Sequence, residues 1–394
     1  NIDIAVTDFE SIKKTCISKN IDLVIVGPEE PLVKGIYDFF KKDKELNHII
    51  VTGPSAKGAQ LEGSKAFAKA FMLRHNIPTA YYREFDAASY EEGLEYIKNH
   101  KMPVVLKADG LAGGKGVVIC NHPVEAMSEY ELIIQKSKFG DAGRKVVVEQ
   151  FLDGIELSVF VLTDGNDYLL LPEAKDYKKI LEGDKGPNTG GMGAVSPVPF
   201  ASEIFMNKVT EQVIKPTIAG LREEKIDYKG FIFFGLIKVN DEPFVIEYNC
   251  RMGDPETEVV LLRLKNDLLK LLIAAEKQKI HSEEIVIDEK AAATIVAVSE
   301  GYPASYKKGF AIDFGYLENP GAIKHLDSKG GIIVFHAGTK QEKEHVATNG
   351  GRVLAVSSLA DSLTEAIELS KEILNQIHFE GIYYRKDIGY EFIR

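Results

Sequence analysis

Val104-Val105-Leu106-Lys107-Ala108-Asp109-Gly110-Leu111-Ala112-Gly113-Gly114-Lys115-Gly116-Val117-Val118-Ile119 sets a glycine-rich loop between two apolar runs of β type. A loop of this kind lets backbone N–H groups approach phosphate oxygens without Cβ clashes, so residues 107–116 form a candidate phosphate lid. The loop does not open a helix with Gly-Lys-Ser/Thr, as a Walker A loop does. A strand follows it, which excludes a dinucleotide fingerprint. Taken alone, the same string also suits a flexible hairpin. Lys107 closes an otherwise apolar strand, where its charge must be paired or hydrated, and triphosphate oxygens would pair it.

Working outward, Tyr81 to Phe151 reads as strand, helix, strand, glycine-rich loop, strand, helix, strand, a unit of small-domain size. Upstream, Ile21 to Val26 is a continuous apolar run ended by Gly27-Pro28, as in a buried parallel strand, and a helical pattern follows from about Leu32 to Phe40. After Gly53-Pro54, Ser55 is the expected N-cap of one long helix running through Leu73, with Lys65 near its start. Lys65 by itself reads as a solvated helix position.

Downstream, Glu149 to Glu156 joins two strands and offers backbone groups to an adenine edge, while Glu156 can accept ribose hydroxyls; an ordinary connection is the plainer alternative. Glu156–Leu162 and Tyr168–Ala174 flank the turn Asp164-Gly165 as a hairpin. A polar loop from Gly183 to Gly193 and a helix from about Ser202 to Glu224 come next. Two strands, Phe231–Val239 and Phe244–Cys250, precede a helical stretch from Glu256 to about Lys277. His281 to Lys290 reads as a linker, and Ala291 to Arg394 as short strands and glycine turns with one helix near Leu363 to Gln376.

Val245-Ile246-Glu247-Tyr248-Asn249-Cys250-Arg251-Met252-Gly253-Asp254-Pro255-Glu256 is the strongest local signal. Strand side chains alternate, so Glu247 and Asn249 share a face. Two hard oxygen ligands then lie side by side. Mg²⁺ favours such oxygens and completes its octahedron with water and substrate phosphates, so no all-protein cage is needed. Arg251 adds a planar fork suited to a carboxylate or phosphoryl group. Gly186 to Ala194 is a small-residue loop with amide and hydroxyl donors that suits a small polar substrate or simply a tight turn.

The net charge of −11, from 48 Lys and Arg against 59 Asp and Glu over 394 residues, argues against surface-wide attraction to nucleic acid or anionic membrane. No apolar run approaches the length that spans a bilayer and no basic leader opens the chain, so a soluble cytoplasmic protein is expected. Cys16, Cys120 and Cys250 are too scattered for a metal or redox motif.

In this order, the motifs resemble the phosphoribosylamine-glycine ligase family, ATP-grasp enzymes of purine synthesis. The resemblance runs from about Ile21 to Asp387 and rests most on Val26-Gly27-Pro28-Glu29, Gln60 to Lys65, Lys107 to Leu111, Gly186 to Gly193, Asn249 to Glu256, His336 to Thr339, Asn349 to Arg352 and Arg385 to Asp387. It implies a multidomain α/β and α+β chain with an ATP-grasp fold: a partial Rossmann-like N-terminal domain over 1–62, ATP-grasp subdomains over 63–150 and 151–286, and a β-rich C-terminal domain over 287–394.

The resemblance also implies roles. ATP would meet Lys65, Lys107, Gly110, Gly113, Gly114, Lys115, Gly116, Glu149, Phe151, Leu152 and Glu156. Glycine and 5-phosphoribosylamine would meet Glu29, Asp176, Lys178, Asn188, Thr189, Gly190, Gly191, Met192, Arg251 and Asp254. Glu247 and Asn249 would hold Mg²⁺ or Mn²⁺, and Lys107 and Arg251 would serve the chemistry. A monomer acting on small molecules is expected.

Three departures accompany the resemblance. Family members open with a strand and a Gly-Gly-Arg-Glu-His loop, which is expected to be absent here; Lys178-Lys179 stands where Arg is frequent; and Gly113 replaces an alanine. The alternatives are another ATP-grasp ligase, such as a biotin-carboxylase-like enzyme, and a non-catalytic nucleotide-binding protein.

Overall fold

Strands Tyr82–Asp86, Lys145–Gln150, Val104–Ala108 and Val117–Cys120 lie in that order as a wholly antiparallel sheet. The computed structural model of the chain describes residues 2–112, 116–315 and 331–393. Helices Tyr90–Lys98 and Pro123–Ile134 cover one face, where Val104, Leu106, Ala108, Val146 and Val148 pack with Phe85, Ile97, Tyr130 and Ile133. Period-two alternation sends Val105, Lys107, Val147 and Glu149 to the opposite face. All four are buried there as well.

The described chain divides into two units: residues 1–170, 202–252 and 267–284, and residues 171–201, 253–266 and 285–394. The first holds the sheet just described and a larger one. In the larger sheet, the long strand Tyr228–Val239 pairs antiparallel with Ile50–Pro54, Ile155–Thr163 and Glu242–Asn249, and Leu23–Ile25 joins Ile50–Pro54 in parallel. The second unit is built on five antiparallel strands in the order Gly331–His336, Arg352–Ala360, Ala291–Val298, Gly193–Ser196, Lys175–Asp176. Helix Leu363–Leu374 packs against it, started by a capping box between Ser362 and Glu365.

The expected helix from Leu32 to Phe40 is two, Glu29–Val33 and Ile36–Lys42, separated by Gly35 at φ +84°, and the expected strand Tyr168–Ala174 is only Tyr168–Leu170. Four further elements also differ from the sequence expectation. The long helix from Ser55 to Leu73 is two: Gln60–Gly63, then Lys65–Arg74, with Ser64 extended between them and accepting the Phe67 N–H at 3.0 Å. Tertiary bonds stand at the interruption: the Lys65 N–H donates to the Asp109 oxygen instead of continuing the first helix's ladder, and Ser64 Oγ donates to Asp109 Oδ1. The helix after Ser202 carries a π turn over Thr210–Ile214, just before Pro216, which has no N–H to continue the regular ladder. The helical stretch from Glu256 breaks after Arg263, and Asp267 caps a new helix, Leu268–Glu276, by accepting the Lys270 N–H. The polar loop 183–193 contains a strand, Lys185–Asn188, paired with Lys179–Leu181.

Candidate active site

In the first unit, the bare alternation of two strands puts Lys107 and Glu149 on one buried face, 2.9 Å apart. A second lysine, Lys69 on the helix Lys65–Arg74, meets the same Glu149 Oε2 at 3.1 Å and donates to Thr79 Oγ1 at 2.7 Å. Lys69 and Lys107 are 2% and 3% exposed, so two ammonium groups share one carboxylate almost out of reach of water. The cluster carries an excess positive charge, which suits an anion. Glu149 Oε1 is buried and has no hydrogen-bond partner among the described residues, leaving an acceptor for an N–H donor such as an exocyclic amine. Burial pulls the Lys69 ammonium down to about 8, against the Glu149 carboxylate that holds it charged.

That arrangement has a testable stability consequence. Glu149→Gln leaves two buried cations without their anion and is expected to lower unfolding stability by about 3–5 kcal/mol. Lys69→Met removes one of two competing cations and is expected to be nearly neutral at pH 7. Because the native Lys69 sheds its proton near pH 8 while the unfolded chain keeps it to about 10.5, native stability relative to Lys69→Met rises as pH climbs through that window. Urea melts at pH 7 and 9 check both statements; a Lys69→Met chain as unstable as Glu149→Gln would contradict them.

Lys107 also donates to the backbone oxygen of Ile246 at 3.0 Å. That carbonyl is available because the strand is bulged: Gly235 faces Glu247 and Leu236 faces Val245, so Ile246 is left without a partner in register. The next residue, Glu247, lies 3.5 Å from Lys65 Nζ. Lys65, Lys107, Glu149 and Glu247 are thus joined into one array. Tyr248 points the other way, packing on Phe234 and Phe71 and bonding Thr217 Oγ1 at 2.9 Å. Its anchoring fixes the orientation of Glu247 and Asn249.

Asn249 is 7% exposed, and its Oδ1 accepts from Arg251 Nη2 at 3.3 Å. Arg251 also pairs with Glu62 Oε1 at 2.9 Å, approaches Glu29 Oε2 at 3.8 Å and donates to the Met252 oxygen at 3.1 Å. Glu62 Oε2 accepts the Cys250 N–H at 2.7 Å. Burial pushes the Glu62 carboxyl up, and the Arg251 guanidinium opposes that rise. The helix break at Ser64 matters here, because it ends the first helix with Glu62 turned to this strand and starts the second with Lys65.

At the root of the glycine-rich loop, Asp109 Oδ1 accepts from Ser64 Oγ at 2.9 Å and from the Ala66 N–H at 2.7 Å, and its backbone oxygen accepts the Lys65 N–H at 3.0 Å. The loop is tied to the helix that carries Lys65 and Lys69. Gly110 is packed against Ala142, where a Cβ would approach to 2.9 Å. Gly116 ends the loop, and its oxygen accepts the Ala108 N–H at 2.8 Å. Gly113, Gly114 and Lys115 lie outside the described residues. Phe151 and Leu152 are partly buried and Glu156 is exposed at the start of its strand.

The second unit holds the other expected residues. Thr189 N–H and Oγ1 both donate to the Lys178 oxygen, and the Met192 N–H donates to the Tyr177 oxygen, so the segment is stitched to the strand beside Asp176. Asn188, Gly190 and Lys178 are exposed. Met192 is wholly buried in the apolar core, and its backbone is bonded too, its N–H donating to the Tyr177 oxygen and its oxygen accepting the Val296 N–H at 3.0 Å. Asp254 pairs with Arg352 at 2.8 Å. Burial, with the Asp254 carboxylate adding to it, pushes Glu258 up to about 7. No group of three or more His, Cys, Asp or Glu is poised for a metal among the described residues.

Lys69, Glu62 and Asp109 escaped the sequence reading. Lys69 falls in Lys65-Ala66-Phe67-Ala68-Lys69, where i, i+4 spacing from Lys65 puts both lysines on one helix face. Glu62 and Asp109 carry no pattern of their own; their partners are remote in sequence.

A four-stranded antiparallel layer presenting buried lysines, a glycine-rich loop pinned to a helix start, and a strand ending Glu-x-Asn-x-Arg define a protein of the ATP-grasp class. The phosphoribosylglycinamide synthetase N domain matches residues 1–62, its ATP-grasp domain residues 63–257 and its C domain residues 292–391. The chain belongs to the phosphoribosylglycinamide synthetase family. It is 41% identical to the phosphoribosylamine–glycine ligase of Caldanaerobacter subterraneus over 98% of this chain and 89% of that one. The crystal structure of phosphoribosylamine–glycine ligase from Thermotoga maritima is similar with a TM-score of 0.77 and 34% identity, covering 86% of this chain and 81% of that one. The biotin carboxylase domain of Hydrogenobacter thermophilus 2-oxoglutarate carboxylase, solved with MgADP and bicarbonate, shares the fold at a TM-score of 0.72 and 18% identity over 97% of this chain and 81% of that one. No helix among the described residues is long and apolar enough to cross a membrane.

Proposed function

We propose that the chain joins glycine to 5-phosphoribosylamine with ATP and a divalent cation, giving glycinamide ribonucleotide, ADP and phosphate. The observation that carries this reading is the array of Lys65, Lys107, Glu149 and Glu247 in the first unit, with Asn249 and Arg251 on the same strand end. A carboxylate is a poor electrophile, because an attacking amine would have to expel oxide. Transfer of the ATP γ-phosphoryl group to a glycine carboxylate oxygen gives glycyl phosphate and ADP. The amine then attacks the carbonyl carbon, the C–N bond forms, the C–O bond to phosphate breaks, and the amine loses a proton.

The residues divide the work. Lys65 and Lys107 offset triphosphate charge, and both stand against carboxylates here as phosphate oxygens would stand against them. Glu149 Oε1, buried without a partner among the described residues, accepts the adenine amine, beside Phe151 and Leu152; Glu156 takes the ribose. Glu247 and Asn249 would hold Mg²⁺ or Mn²⁺, whose charge neutralises developing charge on the phosphates. Their two side-chain oxygens fit a cation that completes its shell from substrate. Arg251 orients the carboxylate or the transferring group, steadied by Glu62 and close to Glu29. Water would hydrolyse the acyl phosphate, so the reaction requires a cover, a role assigned to the loop 109–116. Asp176, Lys178, Asn188 to Met192 and Asp254 are assigned to glycine and phosphoribosylamine. The divisions 1–62, 63–150, 151–286 and 287–394, a monomeric state and a cytoplasmic setting belong to the same proposal.

The test is ADP release. It should require glycine and phosphoribosylamine together for full rate, and a glycinamide product should appear in step with it. Release driven by bicarbonate in place of glycine would assign the chain to a carboxylase-like reaction instead, and ATP binding with no product under any condition would leave a non-catalytic binder.

A further inference from the structure

Asn349-Gly350-Gly351-Arg352 is among the strings that carry the family resemblance, yet no step above uses it. In the second unit Arg352 opens the strand Arg352–Ala360. Its Nη1 donates to the Gly190 oxygen at 2.8 Å and the Asp254 oxygen at 3.1 Å, and its Nη2 donates to Asp254 Oδ2 at 2.8 Å. The other side of the Gly190 residue is held too: its N–H donates to Tyr302 Oη at 2.9 Å. Tyr302 is itself seated against Gly351, where a Cβ would stand 2.3 Å from the ring. Next along the chain, Gly191 has φ +112° and sits so close to Pro255 that a Cβ would meet its Cδ at 2.3 Å.

We propose that Arg352 and Tyr302 are positioning residues for the acceptor side of the reaction: they fix Gly190 from both of its backbone groups and lock Thr189–Met192 to Asp254, creating the ordered surface that takes the amino acid and amine. The proposal rests on the assignment of that segment to these substrates. Its physical basis is freedom. Consecutive glycines have the widest choice of backbone conformation, so a glycine segment that binds a small polar molecule must be ordered from outside itself. An arginine does this because its rigid fork spans two peptide oxygens and a carboxylate at once, which a lysine cannot. Stability alone is a weak reason for the contact, since the Asp254 side chain is 60% exposed and ion pairs in such settings add little.

Two measurements on the full chain decide it. Arg352→Met is expected to speed hydrogen exchange of the Gly190–Met192 amides while the helix Lys65–Arg74 is unchanged, and to raise KM for glycine or phosphoribosylamine roughly tenfold or more with KM for ATP held within about twofold. Arg352→Lys should fall between Arg352→Met and the natural chain. If Arg352→Met does not fold, Tyr302→Phe, which removes one oxygen, must give the same pattern. Unchanged exchange at Gly190–Met192 overturns the proposal, as does a parallel rise of all three KM values. A natural chain with no glycine-dependent ADP release would instead overturn the assigned reaction, while the exchange result would still decide whether Arg352 and Tyr302 order this segment.

Discussion

Replacing Glu247 with alanine is expected to cut kcat by roughly 10³-fold, about 4 kcal/mol of barrier, with the fold intact. Two facts set the sign and the contrast. The Glu247 side chain is 30% exposed at a strand end, so its truncation strands no charge in the core, and its contact with Lys65 at 3.5 Å contributes at most about 1 kcal/mol to stability. The expected loss is therefore in turnover. Asn249 remains, but one neutral amide oxygen is a poor anchor, so the cation would be held by the triphosphate alone and lose its fixed position on the protein. Steady-state rates over a range of Mg²⁺, with thermal melts alongside, read the two effects separately. Activity like that of the natural chain at millimolar Mg²⁺ would remove Glu247 from the site.

Arg251→Lys should follow with a loss of roughly 10²-fold in kcat/KM. The guanidinium reaches Glu62 at 2.9 Å, Asn249 Oδ1 at 3.3 Å and the Met252 oxygen at 3.1 Å from one planar group. An ammonium is a point donor, able to stay with buried Glu62 or with Asn249 but not to hold both in the same geometry. The charge is conserved, so the melting temperature should move little. The carboxylate-orienting fork is what is lost. Glycine-dependent ADP release that survives the exchange unchanged would show that Arg251 does not touch the reacting groups.

Both predictions concern a strand that was readable from its own residues, and the reason is physical. A strand alternates its side chains whatever it packs against, so Glu247 and Asn249 could be set on one face and Tyr248 on the other before any fold was known. The glycine-rich loop was legible for a similar reason, since backbone freedom is a property of glycine itself. The unbroken helix from Ser55 to Leu73 failed as an expectation because good helix formers report propensity, whereas at the break Ser64 and the Lys65 N–H bond to Asp109, a partner remote in sequence. Met192 was expected at a substrate; its side chain fills the core, a fact that neighbouring strands decide.

By itself, the sequence determined the order of strands and helices around the loop 107–116, the pairing of Glu247 with Asn249, and, through motif order, the family. These follow from local rules, since backbone periodicity and residue chemistry act over a few positions. Tertiary structure alone decided that Lys69 and Lys107 share Glu149, that a bulge at Ile246 frees a carbonyl for Lys107, that Glu62 steadies Arg251, and that Arg352 reaches Gly190. Each of those contacts joins residues far apart in the chain, and a charge or carbonyl acquires such a partner only when folding brings the two into a space from which water has been removed.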